Sequence, residues 1–309
     1  MTPSINPSSE IFLSNLQQIQ NRMSTAEQQL SSGLRVSVAS DDPDEISTIL
    51  QLRAQIAGVQ QTQENLSNVT PQVDAGENAI QQAIQVLDTA TSLATEAASS
   101  TTSASQMQDE IPEAQGILQQ LVSLSQTSVS GQYIFSGDQG GLPQYTLSAD
   151  GNSVTQAFKA GAPAQIADSN HVMITIGLTA QQIFDDQADG SSGTGNPAAD
   201  NVFAAVSSLL TALQSGSNSG AQAALTGLQA ASTHLNDESS VYGAAQNNLT
   251  AAGNSASQTL IDLQQQLSNE QDADAAQASL DLTQSTTDEQ AAMSAQAMLK
   301  PQSLFTYLG

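Results

Sequence analysis

The sequence has no cysteine and no tryptophan, and aromatic residues make up only 3% of its 309 positions. Without cysteine there is no disulfide, no thiolate metal site and no cysteine nucleophile. With so few large rings the chain has little to anchor a thick core, yet Leu, Ile, Val and Ala suffice for thin helical seams. Positive charge is scarce as well: five Lys and Arg face 30 Asp and Glu, a formal charge of −25. That balance excludes a basic stripe for nucleic acid and argues against binding an anionic membrane surface. The acid is spread along the chain and forms no tail, as a charge serving solubility would be. No apolar run approaches the roughly 20 residues of a membrane span. The opening MTPSINPSSEIFLSNLQQIQ lacks a basic n-region and an unbroken apolar stretch, so it does not read as a Sec-type signal peptide.

What is present is helical rhythm. After a candidate cap at Ser8 or Ser9, Phe12, Leu16, Ile19, Met23, Ala26 and Leu30 follow at alternating steps of four and three, a heptad seam. The pattern stops at Ser31-Ser32-Gly33, and Asp42-Pro43 reads as the entry to a second helix with proline in its first turn. The rhythm resumes from Ile49 and runs to Ala94, with Pro71 expected to kink or split it. A shorter stretch uses Met107, Ile111, Ala114, Leu118 and Leu121.

The middle differs. The run Gly131 to Gly137, then Tyr145–Leu147, Val154–Phe158 and His171–Ile176, carries β-formers, and Asp150-Gly151-Asn152 is a turn signal. Helices return from Asp200. A long seam from Leu225 includes Leu260, Leu263 and Leu267, and an Ala-rich helix from Ala273 to Leu299 ends before Pro301, with Leu304 and Phe305 in an apolar terminus. The expected architecture is mainly α with a small β-rich insertion: long antiparallel helices from both termini form a coiled-coil bundle. Residues 1–135 and 201–309 are its two helical halves and 136–200 a small outer domain. The seams hold Ser, Gln and Gly among their core positions, so the end helices gain little burial per turn and need surface from neighbouring copies. The expected assembly seam is Phe12, Leu16, Ile19, Met23, Leu30, Leu260, Leu263, Leu267, Leu304 and Phe305.

Chemistry is sparse. His171 and His234 lie in different segments and read as ordinary histidines. No phosphate-binding glycine loop, zinc-protease helix or nucleophile elbow occurs. Asp272 and Asp274 lack the glycine and glutamate of a calcium loop and read as a solvated helix face. The acidic start Asp41-Asp42-Pro43-Asp44-Glu45 suits a helix N-terminus. Arg22, Arg35 and Arg53 are candidates for ion pairs between subunits, with solvated surface arginines the alternative. Neither an enzymatic site nor a cofactor or metal is expected.

The run Leu30-Ser31-Ser32-Gly33-Leu34-Arg35-Val36, followed by Ala39-Ser40-Asp41-Asp42-Pro43, resembles the N-terminal motif of the bacterial flagellin family, and Leu52-Arg53-Ala54-Gln55-Ile56 and Asp109-Glu110-Ile111 are similar to its continuation. That family contains the bulk filament subunit and the hook–filament junction subunit. Gly131-Gln132-Tyr133-Ile134-Phe135-Ser136-Gly137 and the ending Ser303-Leu304-Phe305-Thr306-Tyr307-Leu308 resemble the junction branch, the hook-associated protein 3 group. Asp272-Ala273-Asp274-Ala275-Ala276 departs from the family pattern by lacking its aromatic. The resemblance implies a non-enzymatic structural subunit joining hook to filament by polymerising terminal helices. Its partners would be further copies, the hook-side junction protein and flagellin. An export chaperone in the cytosol and secretion through the flagellar type III route, to the extracellular flagellum, also follow. The alternatives are the main filament subunit and, from another class, a cytosolic helical signalling protein.

Overall fold

The computed structural model describes residues 7–159, 161–188 and 196–298. Eight helices and three short strand pairs follow in order among them: α1 Pro7–Ser32, α2 Ile46–Ala97, α3 Ala104–Asp109, α4 Ile111–Ser125, β1 Ser128–Val129, β2 Gln132–Tyr133, β3 Tyr145–Leu147, β4 Val154–Gln156, β5 Gln165–Ala167, β6 Met173–Thr175, α5 Ala180–Phe184, α6 Val202–Ser215, α7 Asn218–Gln271 and α8 Ala275–Met298. The chain divides into two compact units, one of Met1–Ala57 with Thr259–Gly309 and one of Gly58–Gln258.

In the central unit the α2 and α7 segments run antiparallel. Gln246 donates to Asp74 (2.9 Å) and Glu77 (2.6 Å), and Gln63 donates to Ser257 (2.9 Å). Val73, Ile80, Leu87, Leu228, Leu235 and Leu249 bury one continuous core between them, shared with Leu118, Leu121, Val206, Leu209 and Leu213 of α4 and α6. Pro71 lies inside α2 without ending it. The expected split does not occur, because buried residues on both sides of the proline, Leu66 and Val73, hold the helix in the core.

The scarce aromatics are concentrated here. Tyr242 meets Phe135 edge-on (6.4 Å), Phe135 meets Phe184 (6.0 Å), Phe184 stacks on Phe203 (5.6 Å), and Phe203 meets Tyr145 (5.2 Å). Edge-on and offset rings of this kind add to the area they bury. Gly76 allows the Tyr242 ring to approach α2: a Cβ there would lie 2.3 Å from its Cε1. The ring's hydroxyl accepts a hydrogen bond from the Leu178 N–H (3.1 Å), and burial pushes its pKa up.

The β-rich middle is three separate antiparallel hairpins rather than one sheet. Ser130 and Gly131, both at positive φ, turn β1 into β2, after which Phe135 leaves the expected strand and enters the core. Gly151 makes the turn between β3 and β4, where the sequence places it. The partner of β6 is β5, whose Gln165-Ile166-Ala167 carries little strand signal.

Candidate assembly surface

In the terminal unit α1 and α8 pack along one another as an antiparallel pair. Gln20 reaches Glu289 (3.3 Å) and Arg22 reaches Asp288 (3.4 Å) near the middle of both helices, and Leu34 bridges to Asp272 at one end. Two turns close this pair. The α1 helix ends at Gly33, whose φ of 72° is the left-handed stop that glycine reaches without strain. The Gly33 carbonyl accepts from the Ala273 N–H (2.9 Å), and the Gln271 carbonyl accepts from the N–H groups of Arg35 (2.7 Å) and Val36 (3.2 Å).

Arg35 ties the turns together through its side chain. The guanidinium donates to Asp42 (3.1 Å), to Glu45 and to the Glu270 carbonyl (2.6 Å). The hydrogen bond to Glu45 above all, then that to Asp42, holds its pKa above the ordinary arginine value. Asp41 accepts from the Ser37 and Val38 N–H groups (2.9 Å each), which pulls its carboxyl below the usual range. The motif of glycine, arginine and paired aspartates is therefore a latch between the chain's two ends. Each half-exposed ion pair adds at most about 1 kcal/mol; the backbone bonds set the geometry.

Pro43 lies in the turn ahead of α2, which begins at Ile46, so proline does not enter the helix as expected. Ile46 N–H closes onto the Asp42 carbonyl (3.2 Å), making the acidic run a capping turn. Asp274 accepts from the Ala276 (2.8 Å) and Gln277 (3.2 Å) N–H groups, so one of the paired aspartates caps α8.

The residues of the expected seam have different environments. Ile19 is buried, Phe12, Leu16 and Met23 are half-buried, and Leu30 is 37% exposed. Leu260, Leu263 and Leu267 of α7 are half-buried as well. Leu304 and Phe305 lie outside the described residues. What α8 offers in return is small: its buried residues are Ala278 and Ser285. Ile19, Ala26, Val36, Ile49, Leu52 and Ala278 are the buried apolar residues described in this unit. Against them stand Ile11, Leu13, Leu30, Val38, Leu50, Ile261, Leu280, Met293 and Met298, all exposed. Ile11 and Leu13 flank Phe12, outside the heptad positions that sequence periodicity selects, and α8 exposes Leu280 and Met293 in the same way.

The histidines are far apart in role. His171 turns a hairpin at φ 62°, while His234 Nε2 lies 2.9 Å from the Gln182 carbonyl. Among the described residues no group of three His, Cys, Asp or Glu is placed to hold a metal ion, and no helix is long and apolar enough to cross a membrane.

Known proteins resemble parts of this chain. Residues 4–140 match the family profile of the bacterial flagellin N-terminal helical region. A flagellin of Clostridium tyrobutyricum is 27% identical over 174 residues, 53% of this chain and 46% of its own length, so the chain spans about half of that relative. Among solved structures, a putative flagellar hook-associated protein from Vibrio parahaemolyticus superposes with a TM-score of 0.62 at 16% identity, covering 75% of this chain and 100% of its own. Hook-associated protein 3 from Legionella pneumophila gives 0.59 at 15%, covering 72% and 98%. A flagellar junction protein from the same organism gives 0.52 at 15%, covering 66% and 99%. Residues 4–140 are thus similar to the flagellin N-terminal helical region, and the fold is that of flagellar hook-associated proteins.

Proposed function

We propose that this chain is a non-enzymatic structural subunit of the bacterial flagellum that joins hook to filament through its terminal helices. One observation carries the reading: among the described residues, the unit built from both chain ends has a thin core and most of the large exposed apolar side chains. Such a surface gains stability by meeting further subunits, since each buried Leu or Ile contributes about 1.5–3 kcal/mol. The seam residues Phe12, Leu16, Ile19, Met23, Leu30, Leu260, Leu263, Leu267, Leu304 and Phe305 contribute to these contacts in this reading. Further copies, the hook-side junction protein and flagellin are the neighbours, and 136–200 faces outward. Secretion through the flagellar type III route, with a cytosolic chaperone shielding the apolar ends, follows from the same role.

A second reading, the bulk filament subunit, is favoured by the flagellin relative. Electron microscopy of a strain lacking the gene separates the two. The junction role predicts hooks without filaments and flagellin released into the medium; the bulk role predicts that the chain alone forms long filaments. Deleting residues 1–30 or 280–309 is expected to leave a soluble product that does not assemble. Filaments built from either truncated chain refute the role given to the ends.

A further inference from the structure

The chain has five basic side chains against 30 acidic ones, and of the four described cations two are held by the chain's own carboxylates. Arg35 is held by Asp42, Glu45 and the Glu270 carbonyl, and Arg22 meets Asp288. Arg53 is different. It is exposed on α2 in the terminal unit and has no hydrogen-bond or ion-pair partner among the described residues. One helical turn before it, on the same face, Leu50 is 57% exposed.

A bare cation beside a bare leucine on one helix face is a small docking surface, and its charge selects the occupant. Resting on the proposed role as a polymerising subunit, we infer that the Leu50–Arg53 face of α2 docks a carboxylate-bearing surface of a second copy of this chain. The argument is complementarity. A copy carrying a net −25 offers 30 acidic side chains, whereas the basic side chains able to receive them number five. Copies that repel one another overall gain register and attraction at the few positions where opposite charges meet. Leu50 supplies apolar area that excludes water around the pair, which strengthens it relative to a solvated one.

The test uses a deletion strain complemented with the full chain. Wild type and Arg53→Lys restore filaments. Arg53→Glu reduces filament-bound chain by about tenfold or more, the scale of losing one interfacial ion pair. Circular dichroism and thermal unfolding of the purified variant stay at wild-type values, because the residue has no internal partner. Arg22→Glu, which opens an internal pair, lowers filament-bound chain less. If wild type itself fails to restore filaments, the proposed role falls and this inference with it; if wild type and Arg53→Glu restore them equally, only the inference falls. If Arg53→Glu does not fold, the free face assumed here is wrong.

Carbodiimide treatment of filaments holding isotopically mixed Arg53→Lys copies then identifies the occupant, since an amine and a touching carboxylate condense to an amide with loss of water. A heavy–light peptide pair joining position 53 to an Asp or Glu is the expected product. Links only within one copy, or only to a different protein, overturn the inference.

Discussion

The terminal and central units are made from the same small alphabet of Ala, Ser, Thr, Gln and Leu, yet they use it oppositely. The central unit spends its rings on one chain of contacts from Tyr242 to Tyr145 and leaves few large apolar side chains outside, Leu142, Val172, Met173 and Val241. The terminal unit pairs α1 with a helix whose inner face is alanine and serine, and leaves Ile11, Leu13, Leu280 and Met293 in solvent. A thick core makes a unit stable alone; a thin one with an apolar exterior makes its order depend on neighbours.

The sharpest way to break this contrast is to truncate one core residue in each unit. Phe135→Ala, at the centre of the ring chain, is expected to cost about 3–5 kcal/mol in urea unfolding of the purified chain. Ile19→Ala in the thinly packed terminal pair should cost about 2 kcal/mol, the low end for such a truncation, and leave the main transition in place. Equal losses at both sites erase the distinction. Next in size, Gly76→Ala drives a methyl into the Tyr242 ring and should destabilise the central unit by about 1–3 kcal/mol. Tyr242 fluorescence and the thermal midpoint report it. Leu280→Ser and Met293→Ser should change monomer stability by no more than about 0.5 kcal/mol while reducing incorporation into filaments. A large stability loss instead places both side chains inside the folded monomer.

Acid should divide the units as well. The folded-state pKa of Asp41 is depressed by the Val38 and Ser37 N–H groups. Its contribution is present above the unfolded carboxylate value, near 4, and is lost as pH falls through the lower folded value. Glu238 of the central unit is raised by burial, and by Asp186, Asp237 and Asp200 against the opposing effect of His234. Its contribution is greatest below the unfolded value and declines as pH rises through the folded one. Protection of the Ser37 and Val38 amides, measured against their intrinsic exchange rates, is expected to fall below about pH 4, and Asp41→Asn to remove that dependence. Around Glu238, protection measured against the intrinsic exchange rate should rise on acidification, with Glu238→Gln abolishing the rise.

Much of the helical frame can be read in the residues themselves. The alternating steps from Phe12 to Leu30 give α1, and Asp150-Gly151-Asn152 gives the turn of the second hairpin. Other features need the folded chain. The sequence does not announce that Arg35 pairs with a carbonyl 235 residues away, or that Pro71 is carried by the core around it. Nor does periodicity reveal which helical face remains bare: that depends on the partner, and α8 brings small residues where α1 brings large ones.

The latch at Arg35 also fixes an order of events. Gly33 and Arg35 close onto Glu270, Gln271 and Ala273, so a growing polypeptide has no partner for its first turn until nearly everything else has been made. Residues 58–258 carry the contacts for their own core and are free to settle first. The terminal unit is thus the last part of the molecule to acquire its shape.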